Sequence, residues 1–175
     1  MDVLRSAIIF TGAGLDATMK RLVNDVGRVL IVGGAAGARG NFDAFLKDEM
    51  AKPSLPEGLR DAVLDRNPDQ ALLKYFLAAR TKASFQGSSD LKARVRQTLG
   101  IPNRDVPDSS IEALDGFFMA RNSIVHQMDL EDPSSKSIAR VRRTPLEVAG
   151  DCSEVFDVAT ALITGAAGVC RRAGL

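Results

Sequence analysis

Apolar residues recur at intervals of three and four along most of the chain, which is the spacing of one helical face and does not fit the alternation of a strand. The first of these stripes consists of Leu4, Ile8, Thr11, Leu15, Met19, Leu22 and Val26. It predicts a long helix over residues 3–27. The Thr-Gly-Ala-Gly run at 11–14 lies inside that helix, where glycine lowers helix propensity but lets another backbone come close.

Residues 29–45, VLIVGGAAGARGNFDAF, read at first like a buried strand that runs into a glycine-rich phosphate loop. The glycines do not follow the G-x-G-x-x-G order of dinucleotide-binding loops. Helical segments near 42–52, 59–65, 68–82 and 88–99 follow, where a β-α-β unit needs a second strand. We therefore interpret Gly33 to Gly40 as a flexible loop between two helices. A nucleotide-binding role for this loop ranks low, because Arg39 is the one cation nearby in the sequence.

Two further apolar stripes complete the pattern. One follows the capping run Pro107-Asp108-Ser109-Ser110 and consists of Ile111, Leu114, Phe117, Phe118, Arg121 and Val125. The other begins near Pro145 and consists of Leu146, Ala149, Cys152, Phe156, Ala159, Leu162 or Ile163, Ala166 and Val169 or Cys170. Long helices near 3–27, 68–82, 108–128 and 145–172 predict an all-α, up-and-down helical bundle, with shorter helices inserted between the first and the second.

Composition narrows the class of protein. A chain of 175 residues with 45% hydrophobic residues fills one core, so we expect a single domain over residues 1–175. The net charge of +1 gives no overall field for nucleic acid or membrane, so such a partner must meet a local patch. Runs of apolar residues fall short of the roughly 20 that span a bilayer, and the first residues lack a secretory cleavage pattern, which predicts a cytoplasmic protein without a membrane partner.

Cysteine and histidine usage argues against a metal site. Cys152 and Cys170 fall on the same predicted helix, about 27 Å apart, so they cannot form a disulfide with each other. We expect two reduced, small core residues. Two thiols and one histidine make a poor set of zinc ligands, so we expect neither a metal nor another cofactor.

Residues 117–129, FFMARNSIVHQMD, interrupt an apolar stripe with a charge. Arg121 lies within the stripe, and Asn122 and the chain's one histidine, His126, follow within five residues. An arginine at such a position needs a partner. Considered by residue type alone, Arg121 extends to solvent or pairs with an acid such as Asp16 or Asp115, and His126 is a satisfied histidine near a helix end.

The spacing R-N-x-x-x-H at 121–126 resembles the R-x4–6-H signature of the HEPN superfamily, whose members are compact helical bundles and include many ribonucleases. The position after the arginine is usually polar in that family, and Asn122 matches. The first helix, with GAGLDATMKRL, resembles the opening helix of HEPN proteins, which often carries an acid about where Asp16 lies. Met128 stands where the branch paired with nucleotidyltransferase antitoxins has a tyrosine, so the resemblance is to the superfamily and not to that branch.

RNA cleavage without a metal requires a base for the 2′-hydroxyl, an acid for the leaving 5′-oxygen and a cation for the phosphoryl oxygens. His126 suits proton transfer near neutral pH, and Arg121 offers a planar set of donors that matches phosphate. Asn122 can orient the histidine or hold a phosphate oxygen. Ser123 and Asp16 are candidates for supporting contacts. The resemblance thus implies an endoribonuclease, of the kind that serves as a toxin or antiviral-defence effector and is restrained by an antitoxin or regulatory protein encoded separately.

One chain alone supplies an incomplete site. Arg121 and His126 point about 140° apart on an ideal helix, and each chain contributes a single imidazole. Two chains related by a two-fold axis would supply two arginines and two imidazoles to a shared cleft. HEPN ribonucleases are dimers with such a cleft. We therefore expect a homodimer in which the two motif helices meet.

Local cations must hold an RNA substrate if the overall charge is near zero. Arg140, Arg142 and Arg143 follow the loop after the motif, and we expect them to contact phosphates. Lys92, Arg94 and Arg96 form a second cluster, which we interpret as solvated surface charge. The alternative to a ribonuclease is a non-catalytic HEPN-like module for dimerisation or partner binding.

Overall fold

The structure is a computed structural model that describes residues 3–134 and 137–175. Within these residues the regular structure is helical, apart from one isolated β-bridge. The helices are α1 (Val3–Val32), α2 (Ala36–Met50), α3 (Glu57–Val63), α4 (Pro68–Thr81), α5 (Ser88–Asp90), α6 (Asp108–Glu112), α7 (Asp115–Gln127) and α8 (Pro145–Ala173), with a π-helical segment at Leu91–Arg96. The predicted all-α helical bundle is confirmed.

The two longest helices, α1 and α8, lie side by side and run parallel. Near their beginnings, the Thr11 hydroxyl donates to the Cys152 sulfur at 3.3 Å. Near their ends, a Cβ at Gly33 would lie 2.5 Å from the side chain of Leu175, so glycine there leaves room for the end of the chain. Both cysteines are free, and their half-buried side chains pack against the core.

The helices between α1 and α8 alternate in direction. Leu77 in α4 packs near Gly27, and the later Phe85 amide reaches back to Asp16, so α4 runs antiparallel to α1. Phe117 in α7 packs near Gly12, which lies well before Gly27 in α1. The intervening segment from α5 returns to Gly27 through Leu99. The bundle is therefore up-and-down, and α2 and α3 are inserted between α1 and α4. Only α3, with 7 residues, is shorter than α4, because α2 has 15 residues and α4 has 14.

One core connects these helices. Its largest side chains are excluded from solvent: Phe76, Phe117, Ile8, Met19, Leu30, Leu59, Leu91, Leu99, Ile111, Leu114, Leu162 and Val23. Side-chain caps fix the beginnings of two core helices. Asn67 accepts from the Gln70 amide before α4, and Thr144 and Glu147 cap each other reciprocally before α8.

The glycine-rich stretch is mostly helical. The apolar residues 29–32 form the last turn of α1, and α2 already begins at Ala36, so the predicted loop shrinks to residues 33–35. Packing explains Gly37. A Cβ at Gly37 would lie 3.1 Å from the backbone of Gly100, whose own φ of +63° is in the left-handed region. These glycines therefore serve close backbone packing.

Four predicted core positions are wrong, because Val125, Leu146, Ala149 and Phe156 are exposed. Val125 is 44% exposed, and Ile124 takes its place in the core. Phe117 and Phe118 are both buried, so the apolar stripe fits Ile124, seven residues after Phe117, as well as Val125, seven residues after Phe118. In α8 a valine-rich stripe, including Val148 and Val155, faces the core and leaves Phe156 61% exposed.

Candidate functional site

Helix α7 carries the motif of Arg121, Asn122 and His126. The side chain of Arg121 begins on the inner side of this helix and extends to its outer side. The arginine is half-buried, and a Cβ at Gly12 of α1 would lie 3.4 Å from its Cγ. Its stem therefore packs where glycine lets α1 approach. The guanidinium Nη1 donates to Asn122 Oδ1 at 2.9 Å. Within the described residues Arg121 forms no ion pair with Asp16 or Asp115, so its charge lies beside the amide of its neighbour in the chain.

His126 lies on the outer side of the same helix. It is exposed, and it follows Asn122 by four residues, which places the two side chains on neighbouring turns of one face. The guanidinium of Arg121 bends toward Asn122. Around the helix axis, Asn122 lies at an angle between those of Arg121 and His126. Ser123 is half-buried, and its carbonyl accepts from the Asp129 amide. Arg121 and Asn122 are thus in contact, and His126 is exposed one turn further along the same helix.

Asp16 is engaged elsewhere. One carboxylate oxygen accepts from the Phe85 amide at 2.8 Å, and the other pairs with Lys20 at 2.8 Å. This carboxylate holds the segment after α4 against α1. The structure therefore does not bring Asp16 into contact with Arg121, contrary to its expected supporting role.

The chain turns sharply after the motif. Met128 and Asp129 both have positive φ, at 53° and 58°. The turn leads into two short antiparallel stretches that surround the bridge between Leu130 and Arg140. The Glu131 amide donates to the Ala139 carbonyl at 3.0 Å. We call residues 129–143 the post-motif arm, of which the structure describes all but residues 135 and 136.

The three arginines of the arm differ in environment. Arg140 and Arg142 are exposed, and neither side chain makes an ion pair with the described residues. Arg143 instead points inward and binds Asp129, with its Nε 2.8 Å from the carboxylate Oδ2. Arg140 and Arg142 thus remain available to a ligand, whereas Arg143 is occupied inside the protein.

Asp129 is a functional candidate that sequence reasoning missed. Its carboxylate is fully buried and accepts from Arg5 Nε at 2.8 Å as well as from Arg143. Burial by itself raises the pKa of Asp129, but hydrogen bonds and charge from Arg143 and Arg5 outweigh burial and hold this pKa below its ordinary value. The same contact raises the pKa of Arg143. The sequence signal was an acid placed between Met128 and Leu130, in an apolar context at a helix end.

The second basic cluster is structural. Lys92 pairs with Glu112 at 2.6 Å, and Arg96 pairs with Asp108 at 2.7 Å. Arg94 donates to backbone carbonyls after α4 and lies over the ring of Phe85. These side chains fasten the segment from α5 to α6, so the interpretation as merely solvated charge is wrong.

A cleft between α1 and α4 lies away from the motif. Its volume is about 970 Å³, and it is lined by α1 and α4 residues that include Asn24, Arg28, Gln70 and Lys74. None of the predicted site residues lines it. Among the described residues, no group of three or more His, Cys, Asp and Glu side chains is arranged to hold a metal ion.

By length and hydropathy α8 meets the criterion for a membrane-spanning helix, with a mean hydropathy of 1.3 in its most apolar 18-residue window. In the bundle 33% of that window is buried. Core helices of soluble proteins meet the same criterion, so hydropathy alone does not place α8 in a membrane.

Comparison of the chain with protein-family models, curated proteins and solved structures found no match. The residues of the site, and not a relative, therefore carry the functional argument.

Proposed function

We propose that the protein is a metal-independent endoribonuclease of HEPN type, which cleaves RNA by acid-base transphosphorylation. The observation that carries the proposal is the hydrogen bond from Arg121 to Asn122, one turn before the exposed His126. It places a permanent cation beside an amide, one turn before an exposed imidazole on the same helix. This set of groups is what cleavage of a phosphodiester through its own 2′-hydroxyl requires.

Each side chain has a distinct role in this reaction. His126 of one chain takes the proton from the 2′-hydroxyl, whose oxygen then attacks the phosphorus. The bond to the 5′-oxygen breaks, and a second imidazole donates the proton that this oxygen needs. Arg121 stabilises the charge on the phosphoryl oxygens, and Asn122 orients the guanidinium. The products are a 2′,3′-cyclic phosphate and a 5′-hydroxyl.

The second imidazole comes from a second copy of the chain. Gly116, Met119, Ser123 and His126 follow one another at intervals of three and four along the outer face of α7. Met119 is 69% exposed, and a Cβ at Gly116 would meet nothing within 4 Å. A two-fold axis across this face pairs the two helices and brings both histidines to one cleft.

The post-motif arm supplies the contacts to the RNA backbone. Arg140 and Arg142 are exposed on the arm that begins three residues after His126. Two guanidinium groups at this place hold phosphates that flank the cleaved bond. We further propose that the protein acts as a toxin or antiviral-defence effector and is restrained by a separately encoded protein.

The decisive test compares the wild type with His126→Ala, first for growth of a bacterial host and then for cleavage of total RNA in excess EDTA. We expect growth arrest and metal-independent cleavage by the wild type alone. Lys74→Ala, a change in the remote cleft, serves as the control that keeps activity. Wild-type protein that is folded, dimeric and inert on varied RNAs would refute the proposal.

A second candidate function, a non-catalytic module for dimerisation, is favoured by an apolar face beside the contact of α1 with α8. Phe10 is 69% and Phe156 is 61% exposed, and they lie close to the Thr11–Cys152 contact. At three and four residues from these rings along the two helices, the exposed residues are uncharged: Ala13, Gly14, Ser153 and Thr160.

Light scattering of two matched variants separates these candidates. Met119→Glu and Phe156→Glu each place one charge on an exposed side chain of similar exposure. Loss of the dimer in Met119→Glu alone supports the shared cleft. Loss in Phe156→Glu alone supports the module that dimerises through α1 and α8.

A further inference from the structure

We propose that Asp129 is a positioning residue, which fixes the end of α7 that carries His126 and the post-motif arm that carries Arg140 and Arg142. This inference rests on the proposed function, because it names what holds the reacting imidazole relative to the phosphate-binding arginines. Asp129 touches neither the substrate nor the reacting atoms. It acts through the backbone on both sides of it.

Several segments of the chain meet at the carboxylate of Asp129. Asp129 binds Arg5 from the beginning of α1 and Arg143 from the end of the arm. Arg5 also donates through Nη2 to the Val141 carbonyl at 2.6 Å. Three parts of the chain that are distant in sequence are therefore joined at the point where α7 ends.

The carboxylate also holds the backbone conformation of this turn. Non-glycine residues with positive φ are uncommon, and here Met128 and Asp129 adopt it in succession. Such a conformation persists where its surroundings determine it. The Asp129 amide bonds back to the Ser123 carbonyl at 3.0 Å, and the Asp129 carbonyl accepts from the Val141 amide at 2.9 Å. The same residue thus closes the motif helix and opens the arm.

The imidazole of His126 is exposed. Among the described contacts, no hydrogen bond fixes the ring of His126, so its location depends on the helix end to which it belongs. That end is secured by Asp129, three residues further along the chain. A shift of about 1 Å in a reacting group can lower a rate by about 100-fold. Loosening Asp129 therefore displaces the imidazole without removing any reacting group.

The experiment uses two residues that occur once in the chain, His126 and Tyr75. Each gives a single set of ring signals in NMR spectra, and Tyr75 lies in α4, away from the arm. The variant is Asp129→Asn, and the control is Asp157→Asn, which changes an exposed acid on α8. We expect the His126 signals to move or broaden in Asp129→Asn while the Tyr75 signals stay, and neither to change in Asp157→Asn.

Kinetics provide the second readout. We expect kcat to fall about 10- to 100-fold in Asp129→Asn. KM should rise as well, because the same carboxylate holds the arm that carries Arg140 and Arg142. Arg142→Ala should raise KM with kcat preserved, because Arg142 contacts only the substrate backbone. Arg143→Gln should behave like Asp129→Asn, and the double variant should be no worse than either single one, because both act through one ion pair.

The outcomes are separable. Unchanged His126 signals in folded Asp129→Asn, or equal changes at His126 and Tyr75, would overturn the positioning role. If the wild type does not cleave RNA, the proposed function fails, and the two ring signals alone decide whether Asp129 positions His126. If Asp129→Asn does not fold, Arg5→Lys takes its place, because it keeps the charge but cannot bind both Asp129 and the Val141 carbonyl.

Discussion

Arg94 gives the sharpest test of the packing described above. Its side chain is 15% exposed, and its guanidinium donates to the carbonyls of Arg80 at 3.0 Å, Ser84 at 3.2 Å and Ala83. It also pairs with Asp90 at 3.3 Å. The three carbonyls lie within five residues at the end of α4 and just after it, where the helical hydrogen bonds stop. The guanidinium donates to these carbonyls in place of helical N–H groups.

The expected loss for Arg94→Ala follows from these contacts. A hydrogen bond that involves a charged group contributes about 1.5–3 kcal/mol, but the exposed Ala83 carbonyl regains water in the variant. We therefore expect the free energy of unfolding to fall by about 3–4 kcal/mol. For a chain of this length each kcal/mol lowers Tm by about 2–4 °C, which gives a decrease of roughly 6–16 °C.

Urea and thermal unfolding followed by circular dichroism measure this loss. Arg21→Ala is the matched control, because Arg21 is 86% exposed and makes one pair with Asp25, and we expect a loss below about 0.5 kcal/mol. Arg94→Lys should recover only part of the stability, since a lysine cannot span three carbonyls. The reasoning would be refuted if Arg94→Ala and Arg21→Ala destabilised the protein equally.

Four further results are expected. The pKa of Asp129 is lowered in the folded protein, so its stabilising effect is present above pH about 4 and is lost as pH falls below that. Asp129→Asn should lower the free energy of unfolding by about 3–5 kcal/mol at pH 7, and this difference from the wild type should shrink in acid. Thr144→Ala removes the cap of α8 and should cost about 1 kcal/mol in urea unfolding. Leu162→Ala leaves a cavity at a fully buried position and should cost about 2–5 kcal/mol in the same assay. If RNA is the ligand, replacing both Arg140 and Arg142 by alanine should reduce the slope of log affinity against log salt by about 1.4 in a binding titration.

Periodicity predicted the helices well where one stripe dominated. Helix α1 begins at Val3 and keeps the predicted residues Ile8, Leu15 and Met19 in the core. Helix α8 has two apolar stripes, and its sequence alone does not say which one faces the bundle. The choice depends on the neighbouring helices, which the valine stripe fits, so Phe156 was assigned to the wrong face.

The residues of the candidate site were likewise predicted where the signal is local in sequence and missed where it depends on the tertiary fold. Arg121 stood out because a charge within an apolar stripe is a local irregularity, and local patterns are visible in sequence. Asp129 did not stand out, because its partners are Arg5 and Arg143, and only the tertiary fold brings the beginning of α1 to the end of the arm. The environment of Gly12 was predicted wrongly: another backbone was expected beside it, and the side chains of Arg121 and Phe117 lie there.

In the post-motif arm, the alternation of side chains in an extended backbone would have predicted which arginines face solvent. Residues 140–143 read Arg-Val-Arg-Arg, and in extended backbone alternate residues point to opposite sides. Once the bridge to Leu130 makes this segment extended, Arg140 and Arg142 must share one side, and Val141 and Arg143 the other. The observed burial follows this rule, since the first pair is exposed and the second is half-buried. Three arginines within four residues therefore separate into two that face solvent and one that binds Asp129. The inward arginine fixes the backbone from which the outward pair projects.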